Sequence, residues 1–186
     1  MLQSLLEAAV ESYRAPRRAA RRIIDTVDRP EAVALMFGVS FCVSAMLMLL
    51  TQSAFGADGA NGGLGFVFLN LVFSAFGFGL LVGLVYGVGR LFGGEGELIE
   101  VAAVIAWHSL VTVFFTPFVA SAGTLDGASG PAFLIQLVCV GVAIWLLVNF
   151  IAEVHGFPNA WRVAGVMFVG MFLAGLILPF LFAGLI

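Results

Sequence analysis

Few residues in this chain can do chemistry, and the densest group of them lies in FGGEGELIEVAAVIAWHSL, residues 92–110. Glu95, Glu97 and Glu100 crowd together there, and His108 follows inside an apolar run. Carboxylates beside an imidazole can relay protons or bind a ligand. Spacing divides the group. Glu100 and His108 are eight residues apart, roughly 12 Å along a helix axis, too far for a direct bond. Glu95 and Glu97 belong to a glycine-rich turn. Glu100 falls in the first turn of the helix that follows, where a carboxylate meets the positive end of the helix dipole. His108 is then a separate polar group inside a helix. It is expected to hydrogen-bond a neighbouring helix, and a proton-relay or ligand role is its functional reading.

Other ionisable residues gather at the depth of Glu100. Asn149 and Glu153 are spaced i, i+4 and share one helix face near its end. Arg90 and Arg162 follow two of the apolar stretches. Together Glu100, Glu153, Arg90 and Arg162 form an expected interfacial cluster. It would staple one turn to another or meet a partner.

Catalytic signatures are missing. His108 and His155 lie on different segments, and there is no His-Glu-x-x-His, no Gly-x-Ser-x-Gly and no phosphate loop with its lysine. Cys42 and Cys139 sit singly inside apolar runs and read as small buried hydrophobes, with no disulfide or metal role. The expectation is a non-enzyme with no cofactor, no catalytic residue and no metal site.

The elements that must position these residues follow from composition. Of 186 residues 62% are hydrophobic and 10% charged, with no lysine, and the mean hydropathy is +1.13. Too few polar residues remain to coat a soluble core, so lipid must serve as solvent. A membrane-crossing helix needs about 20 mostly apolar residues. Five stretches qualify: Ala32–Thr51, Leu64–Gly89, Leu98–Ala120, Pro131–Ala152 and Val163–Ile186. Between them TQSAFGADGANGG, RLFGGEGE, SAGTLDGASG and EVHGFPNAWR supply turns. The first apolar run starts only after some thirty residues, which argues for a retained span rather than a signal peptide. The fold class is all-α: a polytopic bundle of five transmembrane helices preceded by an N-terminal amphipathic helix. Residues 1–30 form a basic leader and 31–186 the membrane domain.

Arginine sets the orientation. Arg14, Arg17, Arg18, Arg21, Arg22 and Arg29 precede the first span, Arg90 follows the second and Arg162 the fourth. All eight fall on one side of an alternating five-span chain. The positive-inside rule places the N-terminus in the cytoplasm and the C-terminus outside. In the leader, Leu2, Leu5, Leu6, Ala9, Val10 and Tyr13 recur at helical spacing, and Ala20, Ile23, Ile24 and Val27 continue the pattern after Pro16. One or two amphipathic helices are expected on the inner membrane face, with Arg14, Arg17, Arg18, Arg21 and Arg22 as a surface for anionic lipid or a partner.

Ala75, Gly79, Gly83 and Gly87 repeat every four residues along the second span and form a small-residue stripe for close helix packing. Gly170 and Ala174 offer a shorter stripe in the fifth. Pro117 and Pro179 predict kinks late in the third and fifth spans. No internal repeat is evident, and five spans do not divide equally, which weighs against a repeat-built transporter. Acidic loops without a soluble domain exclude nucleic-acid binding.

Three segments carry a resemblance. PRRAARRIIDTVDRPEAVALMFGVS resembles the opening of bacterial Yip1-family membrane proteins, where a proline-basic leader precedes the first span. FGGEGELIEVAAVIAWHSL is similar to that family's Gly-Gly turn into the third span, and WLLVNFIAEVHGFPNAWRVAGVMFV to its fourth span, histidine-glycine turn and fifth span. The resemblance covers roughly residues 14–186 and implies a five-span, non-catalytic membrane protein. Its eukaryotic members engage Rab-type GTPases in the early secretory pathway. This chain has a short leader without a docking domain, and its lysine-free, Ala/Gly/Arg-rich usage suggests a GC-rich bacterium, so the trafficking role is not carried over. The expectation is a scaffold or accessory protein of the bacterial cytoplasmic (inner) membrane, in contact with lipid and with a protein partner or a second copy of itself. The alternative is a small transporter or channel using His108, Asn149 and Glu153.

Overall fold

The computed structural model describes residues 2–55, 64–118 and 130–167. Among these every regular element is helical. In order they are α1 (Leu2–Arg14), α2 (Pro16–Thr26), α3 (Pro30–Phe55), α4 (Leu64–Leu91), α5 (Leu98–Thr112), a 3₁₀ turn (Val113–Phe115) and α6 (Pro131–Val154). Residues 160–167 are helical as well.

Four segments are long and apolar enough to cross a membrane: Pro30–Leu50, Phe68–Leu91, Leu98–Phe118 and Phe133–Val154. They coincide with the first four expected spans. The fifth, Val163–Ile186, with Gly170, Ala174 and Pro179, lies beyond residue 167 for most of its length and so outside the described residues. Pro117 acts as its chemistry requires. It has no N–H to offer the carbonyl four residues back, and the helix tightens to 3₁₀ at Val113–Phe115, with the Thr116 N–H bonding the Val113 carbonyl instead.

The core is built around α5. Val101, Ala103, Val104, Ile105, Ala106 and Trp107 are all buried, and they cover its whole circumference. A helix apolar on every side belongs in the middle of a bundle. In its most apolar window 44% of the residues are buried, against 6% for α4. α5 packs against α2, α3, α4 and α6. Ser44 of α3 lies 3.4 Å from Thr116, just past the end of α5. The Glu95 N–H reaches the His155 carbonyl, so α4 ends, α5 begins and α6 ends at the same pole. Arg17, Arg21 and Arg90 all bond to atoms there. It is the arginine pole of the bundle.

The N-terminal helices are part of this core. Ala19, Ala20 and Ile23 of α2 are buried, and α2 packs on α5 and α6. Side chains of α1 extend along α5, with Trp107 Nε1 donating to Ser12 Oγ at 2.9 Å and the Tyr13 hydroxyl donating to the Val111 carbonyl at 2.6 Å. Val111 is thirteen residues into α5, about 20 Å along its axis. The leader expected to lie flat on the membrane face therefore sends α1 side chains to partners inside the span. The physical reason is Ser12, fully buried with its own hydroxyl donating to the Ala8 carbonyl. It offers an acceptor to an indole N–H that lipid cannot satisfy. The bulkier Leu6 and Val10 of α1 face outward.

Candidate functional site at the arginine pole

Two helix ends build the site. α4 and α6 both stop in the same backbone motif. After α4, Gly93 takes φ 82°, its N–H bonds the Arg90 carbonyl at 3.1 Å and the Gly94 N–H bonds the Gly89 carbonyl at 2.8 Å. After α6, Gly156 takes φ 69°, its N–H bonds the Glu153 carbonyl at 3.1 Å and the Phe157 N–H bonds the Ala152 carbonyl at 2.8 Å. Each is a Schellman ending with glycine at the left-handed position. An L side chain there costs roughly 1–2 kcal/mol, which is why FGG and HGF stand where they do.

The two endings pack face to face. His155, the cap residue of α6, turns its ring into a cage made by Gly89 at the end of α4 and Gly94 and Gly96 of the turn that follows. A methyl group at Gly89 would collide with Nε2 and Cε1 of the ring. One at Gly94 would lie 2.6 Å from Nδ1, and one at Gly96 would lie 2.6 Å from the Val154 carbonyl oxygen. The Glu95 N–H closes the joint with a long 3.4 Å bond to the His155 carbonyl. Phe157 covers the ring from its own turn, the centroids 5.6 Å apart. His155 is only 2% exposed. Among the described residues neither ring nitrogen makes a hydrogen bond, although the Val85 carbonyl lies near enough to favour the charged ring. Burial is the main influence and holds the imidazole below its ordinary pKa. The Arg90 guanidinium adds to that, while the Val85 carbonyl and Glu100 oppose it.

α2 is tied to the same joint. The Arg21 guanidinium meets the Glu153 carboxylate at 2.8 Å, and Arg17 Nη2 donates to the Pro158 carbonyl at 3.3 Å. The expected cluster therefore forms with a different cation. Among the described residues Glu153 pairs with Arg21, and neither Arg90 nor Arg162 pairs with a carboxylate. Arg90 instead donates to the Gly94 carbonyl at 3.4 Å, and Arg162 is exposed. Glu100 sits in the first turn of α5, where its carboxylate accepts the Glu97 backbone N–H at 2.8 Å. That is the reaching-back half of a capping box. The turns are stapled together by a histidine ring among glycines rather than by charge.

The remaining residues singled out by sequence fall elsewhere. His108 Nε2 lies 2.9 Å from the Ala143 carbonyl of α6, with Phe150 edge-on to its ring at 6.3 Å. Asn149 donates to the Trp145 carbonyl one turn back, so it serves its own helix. Ala75, Gly79 and Gly83 face outward and Gly87 is half-buried, and no described atom comes within 4 Å of a side chain added at Gly79, Gly83 or Gly87. Arg14, Arg18, Arg21 and Arg22 are exposed, Arg22 lying 3.4 Å from Glu11. No group of three or more metal-ligating side chains occurs among the described residues. A cleft of about 340 Å³ opens between α3, α5 and α6, lined by Met48, Thr112, Phe115, Thr116, Cys139, Val140 and Ala143.

Sequence reasoning passed over His155. The signal was present as two helix ends with the same glycine pattern, one of them crowded with five glycines between 87 and 96. Such a smooth surface implies something bulky laid against it.

A family model of the Yip1 domain matches residues 10–183. The chain belongs to that family, and the matched region begins within α1. No curated protein and no solved structure matches the chain.

Proposed function

Taking the chain as a Yip1-domain membrane protein, we propose that it is a non-enzymatic scaffold or accessory protein of the bacterial cytoplasmic membrane, and that α2 is the surface it presents to other membrane components. One observation carries this reading. α2 is anchored through Ala19, Ala20 and Ile23 while Arg18, Arg21 and Arg22 remain exposed on its other side. A basic helix fixed to a bundle at one pole is a preorganised docking edge for an acidic protein partner. The arginine pole is cytoplasmic in this reading, and five spans place the C-terminus outside. A reporter fused after Ile186 should be active outside the membrane and silent inside.

The outward stripe of Ala75, Gly79 and Gly83 supports a second contact, with another copy or another membrane helix. The decisive experiment is quantitative co-purification in mild detergent. A partner present in stoichiometric amount with the wild-type chain should be lost when Arg17, Arg18, Arg21 and Arg22 are all replaced by alanine, while membrane insertion persists. Retention of every partner by that variant refutes the docking role of α2. The transporter alternative draws on the cleft beside Ala143, whose carbonyl holds His108. Among the described residues that line it, Thr112 and Thr116 carry the hydroxyls and the rest are mostly apolar, which favours the accessory reading.

A further inference from the structure

We propose that His155 is a proton-operated latch, closing the joint between the α4–α5 turn and the end of α6 while its ring is neutral and opening it when the ring is protonated. The inference does not depend on the scaffold reading. It rests first on geometry. The ring fills a cage whose walls are Gly89, Gly94 and Gly96, and the residue is 2% exposed. A neutral ring fits there by shape. An imidazolium has two N–H donors; among the described residues neither ring nitrogen makes a hydrogen bond, and the Val85 carbonyl, which favours the charged ring, can serve only one of the two. A buried, incompletely bonded cation is unfavourable, so the charged ring must leave the cage for water. The bonds that oppose this are few. Among the described residues the backbone bond across the two turns is the 3.4 Å one from the Glu95 N–H to the His155 carbonyl.

The surroundings bias the proton in a defined way. Arg90, at the end of α4, opposes a second positive charge, and Glu100, at the start of α5, favours it. Glu95 and Glu97 are exposed on the facing turn. Glu153 lies two residues before His155 and is paired with Arg21 of α2. Arg17 of α2 holds the Pro158 carbonyl on the far side of the turn. The sign follows from proton linkage. The open joint binds the proton more tightly than the closed one, so closure is strongest at neutral pH and weakens as pH falls through about 6.5. The ratio of closed to open then drops by up to tenfold per pH unit. Because Arg21 and Arg17 attach α2 to this same helix end, opening also loosens the basic helix.

The test uses the full chain in nanodiscs of neutral phospholipid. Amide exchange at residues 92–97 and 155–157 is followed from pH 7.5 to 5 and corrected for intrinsic rate. Protection should fall below pH 6.5 in the wild type and in His108→Gln, which removes the one other histidine. It should be independent of pH in His155→Asn. Gly94→Ala, which crowds the cage while keeping the histidine, should be deprotected at every pH. Its imidazole, read by NMR in the His108→Gln background, should titrate nearer the ordinary value than the parent's. The latch is refuted if His155 titrates at 6.5 or above with the turns still protected. It is refuted equally if His155→Asn keeps the wild-type pH profile, or if His108→Gln abolishes it. Should His155→Asn fail to fold, the ring titration in the parent and in Gly94→Ala decides the matter.

Discussion

Replacing Gly96 by alanine probes the joint where it has least freedom to adjust. The added methyl would lie 2.6 Å from the Val154 carbonyl oxygen and 3.2 Å from His155 Nδ1. Favourable carbon contacts begin near 3.5 Å, so the approach to the oxygen is about 0.9 Å too close. A side chain could rotate away. The Val154 oxygen cannot, because it belongs to the last turn of α6. The α4–α5 turn must retreat, and the bond from the Glu95 N–H to the His155 carbonyl, already 3.4 Å long, goes with it. Overpacking costs about 1–3 kcal/mol and the lost hydrogen bond about 0.5–1.5 kcal/mol. Together they predict a destabilisation of roughly 2–4 kcal/mol. The control is Gly83→Ala, where no described atom lies within 4 Å of the new methyl and the change should stay within about 1 kcal/mol of neutral. Equilibrium unfolding of both variants in one detergent, with the helix content recorded, gives the comparison. If Gly96→Ala proves as stable as Gly83→Ala, the turns do not touch as described.

Two further outcomes follow from contacts of the N-terminal helices. Ser12→Ala leaves the buried Trp107 indole N–H without its acceptor, so unfolding should become about 1–3 kcal/mol easier, and the tryptophan emission should shift. An unchanged midpoint would mean that α1 does not dock on α5. The Arg21–Glu153 pair should be worth little, since the arginine side chain is 60% exposed and the carboxylate 16%. A double-mutant cycle with Arg21→Ala and Glu153→Gln should return about 0.2–1 kcal/mol, decreasing with added salt. A coupling beyond about 3 kcal/mol would mean a pair shielded from water.

Much of this molecule can be read from its residues, and the part that cannot has a common cause. The spans are legible because lipid demands long apolar runs. The four that fall within the described residues begin and end within a few positions of the expected ones. Glu100 is legible because capping is local, three residues from Glu97. Arg21 and Glu153 are 132 positions apart, and nothing in either segment names the other. Arg90 and Arg162 were equally good partners on depth alone. His155 shows the same gap more sharply. A lone histidine beside a glycine is an ordinary helix ending. Its significance appears only when a second ending, some sixty residues earlier, is laid against it. Ser12 was hidden for a related reason. Its helix shows an apolar pattern through Leu2, Leu5, Leu6, Ala9, Val10 and Tyr13; Ala9 and Tyr13 pack toward the core beside Ala8 and Ser12, while Leu6 and Val10 face outward. Lipid can take Leu6 and Val10, while Ser12 goes to the bundle, and apolar spacing gives no signal for a serine.

The central functional claim is that α2, fixed at the arginine pole, meets a partner. A photo-crosslinker placed at Arg18, exposed on α2, tests it in intact membranes. One discrete protein adduct is predicted, and it should vanish when Arg17, Arg21 and Arg22 are changed to alanine. Adducts to lipid alone, or a protein adduct indifferent to those three arginines, would contradict the account.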